Sequence, residues 1–340
     1  MKLMIVTDAW EPQVNGVVRT LQATIREAQR RGIAVRVVHP GEFRTFRLPT
    51  YPDIRLAMAT PRRLRAMIRA ESPDAVHIAT EGPIGWAARS ACRSLKRGFT
   101  TSYHTRFPEY IRARAPIPER VTYALLRRFH APASRVLVST ERMREELQAY
   151  GFHNLAIWPR GVDTGLFRPT AQTAPDLPRP IFLTVSRLAV EKNIEAFLAL
   201  DLPGSKVVVG EGPQAEALRF RFPKAHFPGL KTGEALAAAY ASADVFVFPS
   251  RTDTYGIVML EAAACGLPTA AFPVAGPLDV LGDTGVAALD DDLKTACLSA
   301  LRIPREACRA FALTRSWSAA TDAFLAQVMP PDRPAETVLP

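Results

Sequence analysis

Apolar runs of four or five residues alternate with stretches of helical period through the first half of the chain. Residues 3–7, 35–39, 75–78, 100–103 and 136–139 read as short strands. Residues 19–31 carry apolar positions at helical spacing and stop at Gly32, and further helical segments separate the later strands. This alternation predicts a parallel sheet covered by helices on both faces, with 136–139 closing the series. Residues 158–180 contain five prolines and no period, which predicts a linker. A second series follows, with strands at 181–186, 206–210, 245–249 and 269–272 and helices at 194–200, 213–222, 235–242 and 257–264. The fold class is therefore α/β, two doubly wound domains. Ligands of such sheets sit at the carboxyl ends of the strands, here in the cleft expected between the domains. Residues 316–328 form a last helix with Trp317, Ala320, Phe324 and Val328 on one stripe. The tail 330–340 holds four prolines and is expected to be disordered.

Composition narrows the class. The chain has 340 residues, 48% hydrophobic and 22% charged, an ordinary globular balance that excludes wholesale disorder. The four cysteines form no CxxC pair and no zinc spacing, so they read as small buried residues of a reduced compartment. No stretch approaches the roughly 18 apolar residues of a membrane span. The first ten residues read as a buried strand and not as a signal peptide. The expected location is the cytoplasm, peripheral on the cytosolic face of the membrane. Charge is uneven: residues 1–160 carry 27 Lys and Arg against 13 Asp and Glu, while 161–340 carry 16 against 20. A basic half predicts an anionic partner surface, nucleic acid or lipid.

Five loops carry candidate chemistry. Asn15-Gly16 precedes a helix, and a glycine there lets backbone N–H groups approach an anion, although a plain βα turn has the same look. Arg187 and Lys192 follow a strand and suit a diphosphate; a solvated loop edge is the alternative. Asp253 and Glu261 are separated by seven intervening residues. Thr254, Tyr255 and Gly256 offer N–H groups where the helix dipole favours anions. Glu261, amid apolar neighbours, needs a partner, either a ribose diol or a core salt bridge. His104 sits just past a strand end, as a structural or a functional histidine. The Gly210-Glu211-Gly212-Pro213 turn is a weak nucleotide platform.

Read in order, these pieces resemble the retaining glycosyltransferases of family four over about residues 3–328. The pieces are the Asn15-Gly16 loop, SYHT at 102–105, RGVD at 160–163, SRLAVEKN at 186–193, GEGP at 210–213 and DTYGIVMLEAAACGLP at 253–268. The resemblance implies the GT-B fold, two Rossmann-like domains facing across a cleft. It implies an acceptor-binding domain at 1–160, a nucleotide-sugar domain at 165–312, and a helix at 313–328 that packs back on the first. It implies that Arg187 and Lys192 neutralise the departing diphosphate and that Glu261 holds the ribose hydroxyls. Asp253 stands where the family's E-x7-E pattern has its first Glu and contacts the donor sugar. Gly16 and the backbone of Tyr255, Gly256, Ile257 and Val258 approach the donor, with Asn15, Thr254 and Gly212 in the same donor-binding set. His104 lies near the reacting sugar carbon, and Arg160 borders the cleft. The implied chemistry is a same-face displacement in which the leaving diphosphate takes the acceptor's proton. It needs no cofactor and no metal, since two cations and a helix N-terminus meet the charge.

The acceptor reading returns to charge. Residues 60–69 read as a helix with four arginines. Residues 106–130 mix Arg106, Arg112, Arg114, Arg120, Arg127 and Arg128 with Phe107, Tyr110, Ile111, Tyr123, Leu125, Leu126 and Phe129. Basic and aromatic residues together fit an anionic membrane face, although solvated arginines over a covered sheet fit the same pattern. SYHTRFPEY resembles the lipid-glycosylating branch, which includes diacylglycerol glycosyltransferases, sulfolipid synthases and phosphatidylinositol mannosyltransferases. The expected partners are a nucleotide sugar (UDP-glucose, UDP-glucuronate or GDP-mannose) and a membrane lipid. A nucleic-acid partner is disfavoured because no aromatic platform or groove-reading helix is present. An oxidoreductase is disfavoured because the first turn lacks G-x-G-x-x-G. The remaining alternatives are a GDP-mannose-dependent alpha-mannosyltransferase acting on a phosphatidylinositol-type or a soluble or polysaccharide acceptor, and a catalytically silent nucleotide-sugar-binding relative.

Overall fold

In the computed structural model, residues 1–13, 15–48, 51–104, 118–170, 176–253 and 255–329 are described, the side chains of 47, 48 and 51–55 excepted. Thr254 and the 330–340 tail lie outside them, as do Phe107, Tyr110, Ile111, Arg106, Arg112 and Arg114. The chain divides into two units, one of residues 1–159 with 318–340 and one of residues 160–317.

The first unit is built on the strands β1 (Lys2–Val6), β2 (Ala34–Val38), β5 (Ala75–Ile78), β6 (Thr100–Ser102), β7 (Arg135–Val138) and β8 (Leu155–Ile157). They pair in the order β2-β1-β5-β6-β7-β8, all parallel. Leu3, Met4, Ile5 and Val6 are all fully buried, the continuous apolar run of a central parallel strand covered on both faces. The covering helices are α1 (Gly16–Arg30), α2 (Pro61–Glu71), α3 (Pro83–Ser94), α4 (Glu119–His130) and α5 (Glu141–Ala149). An antiparallel pair, β3 (Thr45–Leu48) with β4 (Tyr51–Ala57), stands apart from the sheet.

The second unit repeats the plan with β9 (Ile181–Val185), β10 (Ser205–Val209), β11 (His226–Gly229), β12 (Val245–Phe248), β13 (Thr269–Ala271) and β14 (Ala287–Leu289). Their order is β11-β10-β9-β12-β13-β14, again parallel. Its helices are α6 (Ile194–Leu198), α7 (Ala215–Arg221), α8 (Gly233–Ser242), α9 (Ile257–Ala264), α10 (Ala275–Leu281), α11 (Leu293–Ala300) and α12 (Arg305–Leu313). The last helix, α13 (Trp317–Val328), belongs to the first unit from Ser318 onward. Phe324 packs on Trp158 and edge-on to His77, with centroids at 4.5 and 5.0 Å. Arg31, at the end of α1, grips the start of α13 through Asp322 at 2.9 Å and Ser318 Oγ at 2.7 Å.

Three readings of the sequence are corrected. Val138 does not end the first sheet, because β8 pairs beyond it. Residues 158–180 are no loose linker: Trp158, Arg160, Val162 and Phe167 are buried, and Val162 bridges Ser316. The apolar side of α4 divides, since Tyr123, Leu126 and Phe129 pack in the core and leave Val121 and Leu125 as its exposed large apolar residues. The four cysteines are free and buried, as read, and burial pushes the Cys92, Cys265 and Cys297 thiols up to about 12.

Candidate functional site

The second sheet reverses its building direction between β9 and β12, and the loops leaving the carboxyl ends of these two strands flank the point where doubly wound sheets take ligands. Three contacts stitch the loops together. Asn193, in left-handed backbone at φ 53°, donates Nδ2 to the Pro249 carbonyl at 3.0 Å. Ser250 Oγ donates to the Glu191 carbonyl at 3.3 Å. Lys192 Nζ donates to Asp253 Oδ1 at 2.5 Å, with the two side chains only 24% and 16% exposed. Lys192 is therefore paired with Asp253, a contact that the sequence reading of two cations awaiting a diphosphate did not contain. The second carboxylate oxygen, Asp253 Oδ2, is buried with no hydrogen-bond partner among the described residues. A buried orphan acceptor of this kind suits an incoming hydroxyl. Arg187, earlier in the same loop, is exposed.

Close backbone approaches hold these loops in place. A Cβ on Gly276, in α10, would lie 2.6 Å from the Asp253 carbonyl oxygen. One on Gly212 would lie 2.5 Å from the Leu188 carbonyl oxygen, and Leu188 N donates to the Glu211 carbonyl at 3.0 Å. The glycines of the 210–213 turn are thus required by the neighbouring 186–188 loop, which explains them without a nucleotide.

Helix α9 is preceded by Gly256 at its N-cap, which has φ +75° and would set a Cβ 2.8 Å from Met259 Cε. Gly256 has no side chain to cap the helix, and no side chain among the described residues bonds the Ile257 or Val258 amide. One turn on, Glu261 is 4% exposed, and Tyr240 Oη, on α8, donates to its Oε2 at 3.0 Å. The buried Glu261 thus has a phenol partner. Tyr255 Oη donates to the Arg160 carbonyl at 3.5 Å, and burial raises this phenol above its ordinary value. Arg160 is buried, which pushes its guanidinium down to about 10, still protonated at neutral pH.

The remaining sequence candidates lie in the first unit. Asn15 caps α1, its Oδ1 accepting from Val18 N at 3.0 Å. Gly16 opens that helix, and a Cβ there would meet nothing within 4 Å, so the space before it is open. His104 follows β6 with its ring edge-on to Trp158 at 5.6 Å. Asp8, which sequence reasoning passed over, lies after β1. It accepts from the Ile84 and Gly85 amides of α3 at 2.8 and 3.2 Å and from Thr80 Oγ1 at 2.9 Å. Sequence reasoning also missed Asn193, Ser250, Tyr240 and Gly276. Asn193 alone carried a signal, as the residue that closes the SRLAVEKN segment.

Residues 14–166 match the family described as Glycosyltransferase Family 4, and residues 179–302 match Glycosyl transferases group 1. The chain is 33% identical over 309 residues to a GDP-mannose-dependent alpha-mannosyltransferase of Mycobacterium tuberculosis (strain CDC 1551 / Oshkosh), covering 83% of this chain and 81% of that one. It is 30% identical over 324 residues to the sulfoquinovosyl transferase SQD2 of Arabidopsis thaliana, covering 85% and 63%. Among solved structures, sucrose-phosphate synthase from Thermosynechococcus elongatus superposes with a TM-score of 0.74 at 18% identity, over 95% of this chain and 97% of that one, a likeness of fold.

Proposed function

The chain belongs to glycosyltransferase family 4, and from that premise we propose that it moves a hexosyl group, mannosyl first among the candidates, from a nucleotide sugar to a membrane lipid with retention of configuration. It is a glycosyltransferase of the GT-B fold. The stitched loops after β9 and β12 carry the proposal: they set Lys192, Asp253 and the uncapped start of α9 at one switch point. Mannose is placed first because the mycobacterial relative is a GDP-mannose-dependent enzyme.

In this reading Glu261 accepts hydrogen bonds from the ribose hydroxyls. The amides of Ile257 and Val258 face the diphosphate, where the helix dipole favours negative charge. Lys192 and Arg187 neutralise that charge as the glycosidic C–O bond breaks, and Asp253 Oδ2 takes a hydroxyl of the donor sugar. The acceptor oxygen attacks from the face the diphosphate leaves, and its proton passes to the leaving phosphate. His104, Asn15 and Gly16 serve the reacting end. The protein's share is positioning and charge neutralisation, and the reading includes no metal.

The acceptor reading rests on the exposed faces of two helices. Arg120, Val121, Leu125, Arg127 and Arg128 lie exposed on α4, and Arg62, Arg63 and Arg69 on α2. Arginines beside apolar side chains suit an anionic lipid surface. No helix among the described residues is long and apolar enough to cross a membrane. A second reading, transfer of another hexose from a UDP-sugar, draws on the similarity to the sulfoquinovosyl transferase.

The test offers GDP-mannose, UDP-glucose, UDP-glucuronate and UDP-galactose in turn, with phosphatidylinositol or diacylglycerol in anionic vesicles and with EDTA present. A glycolipid formed from one nucleotide class, with its anomeric configuration kept, is the expected result. Nucleotide binding without turnover on any lipid would overturn the lipid acceptor.

A further inference from the structure

We infer that Tyr240 is a positioning residue for Glu261, holding the carboxylate at the angle that receives the donor's ribose hydroxyls. The inference rests on the ribose reading of Glu261 given above.

Tyr240 lies on α8, whose sequence GEALAAAYAS is otherwise that of a covering helix. Its side chain is fully buried, with the ring edge-on to Phe167 and Phe246 at centroid distances of 5.9 and 5.7 Å. This packing leaves the ring no freedom to swing and fixes the hydroxyl. That hydroxyl donates to Glu261 Oε2 at 3.0 Å. The Cys265 thiol, at the end of α9, reaches the Ala237 carbonyl of α8 at 3.7 Å and ties the same two helices together. Two apolar side chains would fill this space at less cost than a buried carboxylate and a phenol. The polar pair therefore carries something other than packing. A carboxylate has lone pairs enough to accept from Tyr240 and from two vicinal hydroxyls together. A bond to a rigid donor helps to fix the plane in which the hydroxyls are received.

The experiment is calorimetric titration of the wild type and Tyr240→Phe with GDP, 2′-deoxy-GDP, UDP and 2′-deoxy-UDP. For the nucleotide it binds, the wild type is expected to prefer the ribose form by about tenfold, the worth of a hydrogen bond to a charged group. Tyr240→Phe is expected to bring that preference to about twofold, weakening the ribose form more than the deoxynucleotide, which keeps one of the two hydroxyls. On a Glu261→Gln background Tyr240→Phe is expected to change nothing further, since the two residues act as one unit. Equal weakening of both nucleotide forms, or an undiminished preference in Tyr240→Phe, would overturn the inference while leaving Glu261's role intact. A wild type indifferent to the 2′-hydroxyl would remove the ribose reading itself. Should Tyr240→Phe not fold, Tyr240→His and Tyr240→Leu carry the same test. The preference is kept by histidine, which retains an N–H donor, and lost in leucine; equal preference in the two overturns the inference.

Discussion

The two units share one plan and use it oppositely. Each is a six-stranded parallel sheet that reverses direction beside its first strand, at β1 and β5 in one and at β9 and β12 in the other. In each, a helix begins just beyond the switch point. In the first unit that helix, α3, already has its anion: the Asp8 carboxylate accepts from the Ile84 and Gly85 amides and fits so tightly that a Cβ on Gly82 would lie 2.4 Å from it. In the second unit α9 has no side-chain cap, and Asp253 keeps one buried oxygen without a partner among the described residues. The same topology is closed by the protein's own carboxylate in one unit and, in the reading proposed above, takes a donor's diphosphate at the helix start and a sugar hydroxyl at Asp253 in the other. Switch-point geometry alone therefore does not identify a site. The state of the helix N-terminus and of the polar atoms around it does.

The largest effects should follow from breaking the open end. Lys192→Ala should lower kcat by about 100-fold or more, as loss of a transition-state charge partner does, and Glu261→Ala should lower kcat/KM by about tenfold or more through the donor's KM, as loss of a ribose contact does. Both should keep the far-ultraviolet circular dichroism of the wild type. Gly276→Ala tests the loop's seat without touching a charged group. Its new methyl must displace the Asp253 carbonyl, at a cost of about 1–3 kcal/mol in urea denaturation, and activity should fall by about tenfold.

The closed end should answer in stability and not in donor affinity. Asp8→Ala frees the first amides of α3 and should cost about 1 kcal/mol while GDP and UDP titrations stay as in the wild type. Burial holds the Asp8 carboxyl above its ordinary range. The folded state thus binds this proton more tightly than the unfolded chain. Its contribution is full below the ordinary carboxyl range and is lost as pH rises through the raised pKa. Wild type should therefore lose stability relative to Asp8→Asn as pH rises from acid toward neutral. The smallest effect belongs to Arg31→Ala, which releases the start of α13. The Arg31 side chain is 26% exposed and its partner Asp322 is 64% exposed, so the loss should stay within about 1 kcal/mol, read as a small fall in Tm.

The buried strands were legible because each is a short, mostly apolar run: β1, β5, β9 and β12 lie where the hydrophobic pattern places them, as does α9. The edge strands were not. Leu155–Ile157 is three residues long and only partly buried, and His226–Gly229 carries a proline and a glycine, so neither shows a period. The hairpin of β3 and β4 packs outside the alternating series and breaks no rule that would announce it. At the site, residues whose charge is visible in the sequence were found, namely Lys192, Asp253 and Glu261. Those that act through shape or adjacency were not. Tyr240 reads as one more apolar residue of an alanine-rich helix, and Gly276 acquires meaning only from the Asp253 carbonyl beside it. The Lys192–Asp253 pair spans 61 positions in the chain, a distance across which residue spacing carries no information.

The most direct measurement of the central claim, that the open end of the second unit receives a diphosphate, is calorimetric titration with GDP against GMP and UDP against UMP for the wild type and Lys192→Ala. The account predicts that the wild type prefers the diphosphate of the nucleotide it binds and that Lys192→Ala abolishes most of that preference while still binding the monophosphate. An unchanged preference in Lys192→Ala would contradict it.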